Sequence, residues 1–295
     1  MNRRRFIYNS SIASLSVLGL NSCNQLFRDV KITILHSNDV HSQIEPFPLN
    51  HNRFPGRGGF ARRANIFNEI RSVNPNTLIF DAGDIFQGTP YFNFFQGELE
   101  LKLMKEMGYN AATIGNHEFD AGLDSLKQNI LSTNFQFIIS NYDFSNTVLE
   151  GITTPFKIYK KQGVKIGVFG LGIELKGLVN PDLYKETKYY DPIEISNDIV
   201  KILKNDKKCD LIICVSHLGH EYDSNKISDT KLARLTSDID LIIGGHTHTF
   251  LKEPIIVKNK KNNNVIINQV GNGGVYLGRI DFNFTNSGRK NTNSL

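Results

Sequence analysis

The fold class can be predicted by starting from the stretch Gly115-Asn116-His117-Glu118-Phe119-Asp120. It follows the short apolar run 111–114 and precedes residues 123–131, whose apolar positions have helical spacing. A strand, a glycine and then polar side chains are the order in which an open α/β sheet presents a site at the carboxyl end of a strand. The asparagine offers a carbonyl oxygen, the histidine an imidazole, and Asp120 a carboxylate that could orient the ring. If this stretch is considered alone, it could instead be a polar turn that caps the next helix.

Four further apolar runs of strand length also end in polar side chains that can bind a metal ion. These runs are residues 31–36, 77–80, 211–215 and 239–243. The side chains that follow them are Asp39 and His41, Asp84, His217, and His246 with His248. The first and last pairs are spaced two residues apart, so both members point to one side of an extended segment. The two histidines after Gly244-Gly245 are the sharpest single signal in the chain.

Together with Asn116, these positions give seven nitrogen and oxygen ligands from five strand ends. Seven ligands are too many for one tetrahedral ion, but they suit two ions about 3.5–4 Å apart that share one carboxylate. No cysteine takes part, and mixed His, Asp and Asn ligands suit Mn²⁺, Fe, Co²⁺ or Zn²⁺. The pattern therefore predicts two bound divalent metal ions of unspecified identity.

Composition and periodicity indicate an ordinary globular α/β chain. Its 295 residues are 40% hydrophobic and 21% charged, and no basic stripe with interleaved aromatic residues indicates nucleic-acid binding. Helices are predicted over residues 60–73, 97–107, 123–131 and 194–204, and a hairpin over residues 156–169 with its turn at Gln162-Gly163. Phe92, Phe94 and Phe95 are expected to pack in the interior rather than to bind substrate.

Cys209 and Cys214 lie at the two ends of one predicted strand. Five residues of strand span about 16 Å at about 3.3 Å per residue. A disulfide needs Cα atoms within about 7 Å, so we expect no bridge between them. Without disulfides, an exported chain depends on a sizeable apolar core.

Residues 1–22 have the features of an export signal. Arg3-Arg4-Arg5 precedes the mostly apolar stretch 7–20, which is too short and too interrupted to span a bilayer. The paired arginines resemble a twin-arginine signal, and Leu20-Asn21-Ser22-Cys23 resembles a bacterial lipobox. Cys23 would then be the lipidated first residue of the mature chain, with residues 23–30 as a linker. The alternative is an ordinary cleaved signal with an incidental cysteine. We expect a protein of the periplasmic side or cell envelope, held to a membrane by lipid.

Five ordered motifs resemble those of the calcineurin-like metallophosphoesterases, most closely the catalytic domain of bacterial 5′-nucleotidases and UDP-sugar hydrolases. The motifs are Asn-Asp-Val-His, Gly-Asp-Ile-Phe-Gln-Gly, Gly-Asn-His-Glu-Phe-Asp, Ser-His-Leu-Gly-His and Gly-Gly-His-Thr-His. The resemblance implies an α/β (α+β) fold, a four-layer αββα sandwich with the metal site at one edge. It implies a catalytic domain over residues 31–284. The polar residues 285–295 are expected to be a disordered tail.

The resemblance also implies a role for each candidate residue. It assigns Asp39, His41, Asp84 and His248 to one ion, and Asp84, Asn116, His217 and His246 to the other. Asp84 would therefore bridge the two ions. His117 would contact the substrate phosphate beside Asn116, and Asp120 would hold His117. Hydroxide made available by the ions would attack phosphorus in line, so no protein nucleophile is needed.

The implied function is hydrolysis of phosphate esters by a 5′-nucleotidase-type phosphomonoesterase. The alternatives are a cyclic-nucleotide phosphodiesterase, a thiosulfohydrolase, or a non-catalytic, lipid-anchored binding subunit. The free His117–Asp120 pair argues against the last, since a scaffold has no need of it. The 5′-nucleotidases carry a further domain that stacks the nucleobase, and this sequence stops where the catalytic domain ends. We expect either a separate polypeptide that supplies the base site or a substrate that is a small phosphoester.

Overall fold

Two six-stranded sheets form the centre of the structure, a computed structural model that describes residues 29–285 and the backbone of residues 290–294. The first sheet has the order β14-β13-β1-β2-β3-β4. Its strands are β1 (Val30–Ser37), β2 (Thr77–Asp81), β3 (Ala111–Ala112), β4 (Gln136–Phe137), β13 (Gly278–Phe284) and β14 (Lys290–Ser294). Strands β1 to β4 are parallel, and β13 runs antiparallel to both β1 and β14.

The second sheet has the order β11-β12-β10-β9-β7-β6. Its strands are β6 (Phe156–Lys161), β7 (Val164–Leu171), β9 (Leu211–Ser216), β10 (Leu241–Ile243), β11 (Ile255–Lys258) and β12 (Asn264–Asn268). The four central strands are parallel, and β6 and β11 close the edges as antiparallel strands. A separate two-stranded ribbon joins β5 (Tyr142–Asp143) to β8 (Lys188–Tyr189).

The helices cover the outer faces of both sheets. They are α1 (Phe60–Val73), α2 (Pro90–Phe95), α3 (Glu98–Met107), α4 (Gly122–Ser132), α5 (Pro181–Tyr184), α6 (Pro192–Lys201) and α7 (Asp229–Leu235). A 3₁₀ turn at His117–Phe119 and a π-helical turn at Ile202–Asp206 complete them. Among the described helices, none has both the length and the apolar character needed to cross a bilayer.

Three apolar clusters separate four layers of secondary structure. One packs the helices α1, α3 and α4 on the first sheet, with Phe67 and Leu126 fully buried. The second lies between the two sheets and contains Ile34 from the first sheet and Ile213 from the second. The third packs α6 and α7 on the second sheet, with Leu232 at its centre. The predicted αββα sandwich is therefore confirmed, and the central strands β1, β7 and β9 carry apolar residues on both faces because both faces are covered.

Several local predictions can be compared directly with the structure. The hairpin is confirmed, and its turn residues Gln162 and Gly163 have φ of 46° and 88°, as a tight two-residue turn requires. Cys209 and Cys214 are buried and free. The packing prediction for α2 is wrong for Phe94 and Phe95, which are 81% and 46% exposed, and is confirmed for Phe92, which is buried. A six-residue helix offers the interior only one face.

The C-terminal residues differ from the prediction of a disordered tail. Lys290–Ser294 pairs antiparallel with β13 and extends the first sheet by one strand. Polar composition argues against a core position but not against edge pairing, because the strand is held through backbone hydrogen bonds to β13. The predicted export signal at residues 1–22 and the lipidation site Cys23 lie outside the described residues.

Candidate metal centre

The predicted ligands meet at one edge of the sandwich. The parallel strands of both sheets point the same way, so the segments after β1, β2, β3, β9 and β10 arrive at one place. His248 Nε2 lies 3.3 Å from Asp39 Oδ1, and His217 Nε2 lies 3.0 Å from Asp84 Oδ2. Residues far apart in the sequence are thus brought within ligand distance of one another.

The potential ligand atoms fall into overlapping groups. Three sets of atoms lie within 4.8 Å of one another: Asp39 with His41 and His248, His41 with Asp84 and His117, and Asp84 with His217 and His246. Asn116 joins the last set, because its Oδ1 lies 2.9 Å from His246 Nδ1. The Asp84 carboxylate belongs to two of the three sets and therefore lies between the two ends of the cluster.

Two of the imidazoles are held by backbone carbonyls in the orientation that a metal ligand needs. His217 Nδ1 lies 2.6 Å from the carbonyl oxygen of Ala82, so Nδ1 carries a proton and Nε2 is the nitrogen that would bind a metal ion in place of its own proton. His41 Nδ1 lies 3.2 Å from the carbonyl oxygen of Gln87, with the same consequence. Backbone carbonyls commonly fix metal-binding histidines in this way. The donor set and its orientation therefore fit divalent metal ions.

The backbone at the site adopts conformations that most residues avoid. Asp39, His41, Asp84, His246 and His248 all have φ between 49° and 70°. Left-handed conformations of non-glycine residues cost energy and cluster at functional sites. Each of these residues sits on a sharp turn shortly after a strand, which is what brings its side chain over the strand end.

Two glycines are required by close packing around the ligands. A Cβ on Gly115 would contact Asp84 Oδ1, and a Cβ on Gly245 would lie 2.8 Å from the carbonyl oxygen of Ala82. Any larger residue at either position would displace a ligand-bearing turn. This explains the glycine that precedes Asn116 and the glycine that precedes His246.

The buried pair of Asp84 and His217 has opposite and mutually supporting charges. Burial disfavours the charged form of His217, but the Asp84 carboxylate outweighs it and raises the pKa of His217 to about 10. Burial would likewise raise the pKa of Asp84, but His217 outweighs this and holds it below the usual range. The site thus stabilises a buried carboxylate through neighbouring positive charge, which a divalent cation also provides.

His117, a member of the group with His41 and Asp84, also forms a pair with Asp120. His117 Nδ1 lies 2.7 Å from Asp120 Oδ2, and this hydrogen bond raises the pKa of His117 above its ordinary value. The backbone N–H of His117 also donates to Asp84 Oδ1 at 2.9 Å. The His117 imidazole is about one-third exposed, so a ligand that enters from solvent can contact a proton held on this ring.

Glu118 is a site-forming residue that sequence reasoning missed. Its side chain is fully buried and accepts hydrogen bonds from the backbone N–H groups of Asp84, Ile85, Phe86 and Gly115. These donors belong to two turns that carry ligands, so one carboxylate fixes both. Most of the hydrogen-bond partners of Glu118 lie on a different turn of the chain. The only signal for its role in the sequence is therefore that an acidic residue lies inside a turn that forms the site.

Gln269 and Asn38 hold the ligand turns from behind and were also missed. Gln269 Nε2 donates to the carbonyl oxygen of Gly245 at 2.6 Å, and its Oε1 accepts from Thr247 Oγ1 at 3.1 Å. Asn38 Nδ2 donates to Asp39 Oδ2 at 2.6 Å. Both residues are buried, so these bonds are shielded from water. Gln269 lies outside the candidate motifs, and Asn38 precedes Asp39 but bonds to Val270 and Gly271, which are far away in the sequence. Spacing alone therefore did not reveal either role.

The three histidines without a predicted role lie outside the ligand groups. His36 is buried, and its Nε2 lies 3.0 Å from Asn268 Nδ2. The His51 ring packs on Phe47 and accepts a hydrogen bond from the backbone N–H of Phe54. His220 takes no part in the three groups of potential metal ligands. The structure therefore separates these three histidines from the histidines of the site.

Known proteins share this sequence pattern and this fold. A profile of the calcineurin-like phosphoesterases matches residues 32–250. A 5′-nucleotidase from Vibrio vulnificus is 32% identical over 279 residues, which cover 87% of this chain and 49% of the relative. A snake venom 5′-nucleotidase from Gloydius brevicauda is 31% identical over 88% of this chain and 46% of its own length.

A solved structure agrees with the sequence comparisons. The crystal structure of a 5′-nucleotidase precursor from Thermus thermophilus superposes with a TM-score of 0.80 at 30% identity. The match covers 90% of this chain and 54% of that one, so the chain spans about half the length of the relatives it matches. The family to which the matched residues belong uses a dinuclear metal centre, in agreement with the ligand groups at the sheet edge. With the profile spanning most of the described residues, this chain belongs to the calcineurin-like phosphoesterases, which hydrolyse phosphoester bonds.

Proposed function

We propose that the chain is a phosphomonoesterase that acts on nucleotides and uses two divalent ions. The observation that carries this proposal is the position of Asp84 between two groups of ligands, with the His117–Asp120 pair beside them. One shared carboxylate between two ions about 3.5–4 Å apart is the arrangement that supports in-line displacement at phosphorus. A purely structural metal site would need neither a second ion nor a proton-holding pair.

Each ligand has a proposed place. Asp39, His41, Asp84 and His248 would hold the first ion, and Asp84, Asn116, His217 and His246 the second. When bound, the ions would make hydroxide available near neutral pH and neutralise charge on phosphoryl oxygens. The metal identity is open among Mn²⁺, Zn²⁺, Fe and Co²⁺, because all accept this mixed donor set.

The protein side chains would complete the chemistry. His117 faces the entry side of the site and is held by Asp120, so it would contact a phosphoryl oxygen together with the Asn116 amide. Its raised pKa favours the imidazolium, which stabilises developing negative charge or delivers a proton to the departing alkoxide. Asp120 keeps the ring oriented throughout.

The nucleotide substrate is proposed from the names of the relatives. Relatives matched over 46–49% of their own length are named 5′-nucleotidases. A separate polypeptide that supplies groups for reading the nucleobase is a further part of the proposal. A small phosphoester would need no such groups.

The chain is also proposed to be exported and lipid-anchored at Cys23, on the periplasmic side or cell envelope. Arg3-Arg4-Arg5 and the apolar stretch that follows it support export. The lipobox-like sequence before Cys23 supports the anchor. Mass spectrometry of the processed N-terminus would test both parts, since an unmodified cleavage product would contradict lipidation.

Hydrolysis assays test the proposed activity. The purified chain with added Mn²⁺ should release phosphate from AMP and from an aryl phosphomonoester. A cyclic nucleotide and a bis-aryl phosphodiester serve as the comparison substrates. Faster turnover of the diesters would contradict the phosphomonoesterase proposal, and no turnover of any ester at full metal occupancy would favour a binding subunit.

A further inference from the structure

Four turns of the second sheet form a strongly basic surface, here called the basic face. They are residues 160–165, 201–210, 236–240 and 258–264. Together they contain ten lysines and four aspartates, a net charge of +6. Residues 29–285 as a whole contain 28 lysines and arginines against 29 aspartates and glutamates. The positive charge of the described domain is thus concentrated at one end, and the remainder is net negative.

The four turns are contiguous in space. Lys165 Nζ donates to the carbonyl oxygen of Lys207 at 3.2 Å, which joins the β6–β7 hairpin to the turn before β9. The other turns meet around one cavity of about 430 Å³, which is lined by Lys204, Asp238 and Asn259 among others. The lysines therefore share one surface rather than being scattered over the fold.

The carboxylates of these turns are too few to neutralise the lysines. Asp210 Oδ2 accepts the backbone N–H of Lys165 at 2.8 Å, so this carboxylate caps a strand. Asp238 pairs with Lys261. Four aspartates against ten lysines leave an excess of six positive charges, and eight of the ten lysine side chains are exposed. The basic face therefore presents hydrated ammonium groups to whatever lies outside it.

The basic face lies at the end of the sandwich opposite the metal centre. Its turns precede the amino ends of β7, β9, β10 and β12, whereas the histidine ligands follow the carboxyl ends of β9 and β10. Strand β1 starts at the same end, because Ile32 pairs with Phe282, and Phe282 lines the cavity of the basic face. The chain therefore enters the fold beside the basic face, and Cys23 stands seven residues before Val30.

We propose that the basic face docks on a membrane surface that contains anionic lipid headgroups. Lysines near such a surface are attracted to the headgroup phosphates over about a Debye length. A lipid chain combined with a basic patch attaches a protein more stably than the lipid chain alone. The chain enters the fold at this face, so an anchor near Cys23 would hold the face against the bilayer. The metal centre would then face away from the membrane, open to phosphoesters in solution.

Flotation with lipid vesicles tests this proposal on the full chain. The partition coefficient is measured on phosphatidylcholine vesicles and on vesicles that also contain phosphatidylglycerol, and the ratio of the two isolates the charge-dependent part. The test variant carries K204Q, K207Q, K208Q and K260Q on the basic face. The matched control carries K102Q, K127Q, K176Q and K252Q, which remove the same charge elsewhere. Phosphoester hydrolysis by both variants reports that they are folded.

The basic-face variant should lose about tenfold or more of the preference for anionic vesicles, and added salt should weaken the preference of the unaltered chain. The control should keep its preference. Equal losses in the two variants would show that only overall charge matters and would overturn the proposal. Retention on immobilised DNA without any preference for anionic vesicles would also overturn it.

Discussion

At the scale of single residues, Asp84 is the side chain on which the proposed two-ion site depends most. Its carboxylate belongs to the group with His41 and His117 and to the group with His217 and His246. Asp84→Ala removes the shared ligand and leaves two cations without the charge between them. We expect metal analysis to show fewer than two equivalents per chain and hydrolysis to be lost. Asp182→Ala, at an exposed position, is the control, and two full equivalents in the Asp84 variant would refute the bridging role.

His117 should affect rate without affecting metal content. His117→Ala removes one contact to the transition state, which typically costs about 2.7–4 kcal/mol, or roughly 10²–10³ in turnover. Metal analysis and steady-state kinetics on the same preparation measure both quantities. Asp120→Asn should give a smaller loss, because the imidazole remains but loses its carboxylate partner. A His117 variant with unchanged turnover and stripped metal would show that the residue is a ligand instead.

The proximity of the candidate ligands could be predicted from sequence, because each closely follows an apolar run and parallel strands bring their carboxyl ends to one edge. Glu118, Gln269 and Asn38 were not, since their importance rests on bonds to backbone groups that are distant in sequence. No residue spacing encodes such partners.

At the scale of elements, Glu118 connects the turn after β2 to the turn after β3. Its Oε2 accepts from the backbone N–H of Asp84 at 3.0 Å and from that of Gly115 at 2.5 Å. Glu118→Gln cannot satisfy all the donors, and each buried donor left unpaired costs about 1–3 kcal/mol. We expect the free energy of unfolding in urea to fall by about 2–5 kcal/mol. Glu98→Gln, at an exposed position on α3, is the matched control, and equal stability of the two variants would contradict the connecting role.

Asp281 ties β13 to β1 and should make stability depend on pH. It accepts from Thr33 Oγ1 at 2.7 Å and lies 2.7 Å from Lys31 Nζ. Burial would raise the pKa of Asp281, but the bonds from Lys31, Thr33 and Arg279 outweigh it and lower the pKa. Because the pKa of Asp281 is lower in the folded state, its charged carboxylate stabilises the protein at any pH above the unfolded-state pKa of about 3.9. This stabilisation is lost as the pH falls through the folded-state pKa.

The comparison of wild type with Asp281→Asn tests this sign. The stability difference between them, measured by urea unfolding, should be largest near neutral pH and should narrow below about pH 4. A difference that stays constant across this range would show that the carboxylate charge contributes nothing.

The boundaries of helices and strands were predicted most reliably where a periodic apolar pattern extends over many residues. Helix α1 matches its predicted range, while β3 has only two residues where an apolar run of four was expected. Strand β14 could not be predicted, because Lys290–Ser294 has no apolar alternation and is held through its backbone pairing with β13.

At the scale of the whole molecule, the four-layer arrangement was implied by family resemblance rather than by periodicity. Apolar runs identify strands, but they do not say which strands share a sheet. The order β11-β12-β10-β9-β7-β6 depends on contacts between distant segments, and the pairing of the two sheets depends on the apolar cluster between them.

Substrate preference is the property of the whole chain that is most open to test. Base stacking on an aromatic side chain is worth about 1–3 kcal/mol per base. If a separate polypeptide supplies such a site, as proposed, residues 24–295 assayed alone should show a high Michaelis constant for AMP, little discrimination among AMP, GMP and CMP, and comparable turnover of an aryl phosphomonoester. A micromolar constant with a sharp base preference would contradict this. The exposed Phe94 would then be the first residue to substitute.

Anomalous diffraction from crystals grown with Mn²⁺ would locate the two ions that seven side chains from five strand ends are proposed to hold. Two anomalous peaks about 3.5–4 Å apart are expected. One peak should lie among Asp39, His41 and His248, the other among Asn116, His217 and His246, with Asp84 in contact with both. A single peak, or two peaks that Asp84 does not join, would rule out a dinuclear centre with a shared carboxylate.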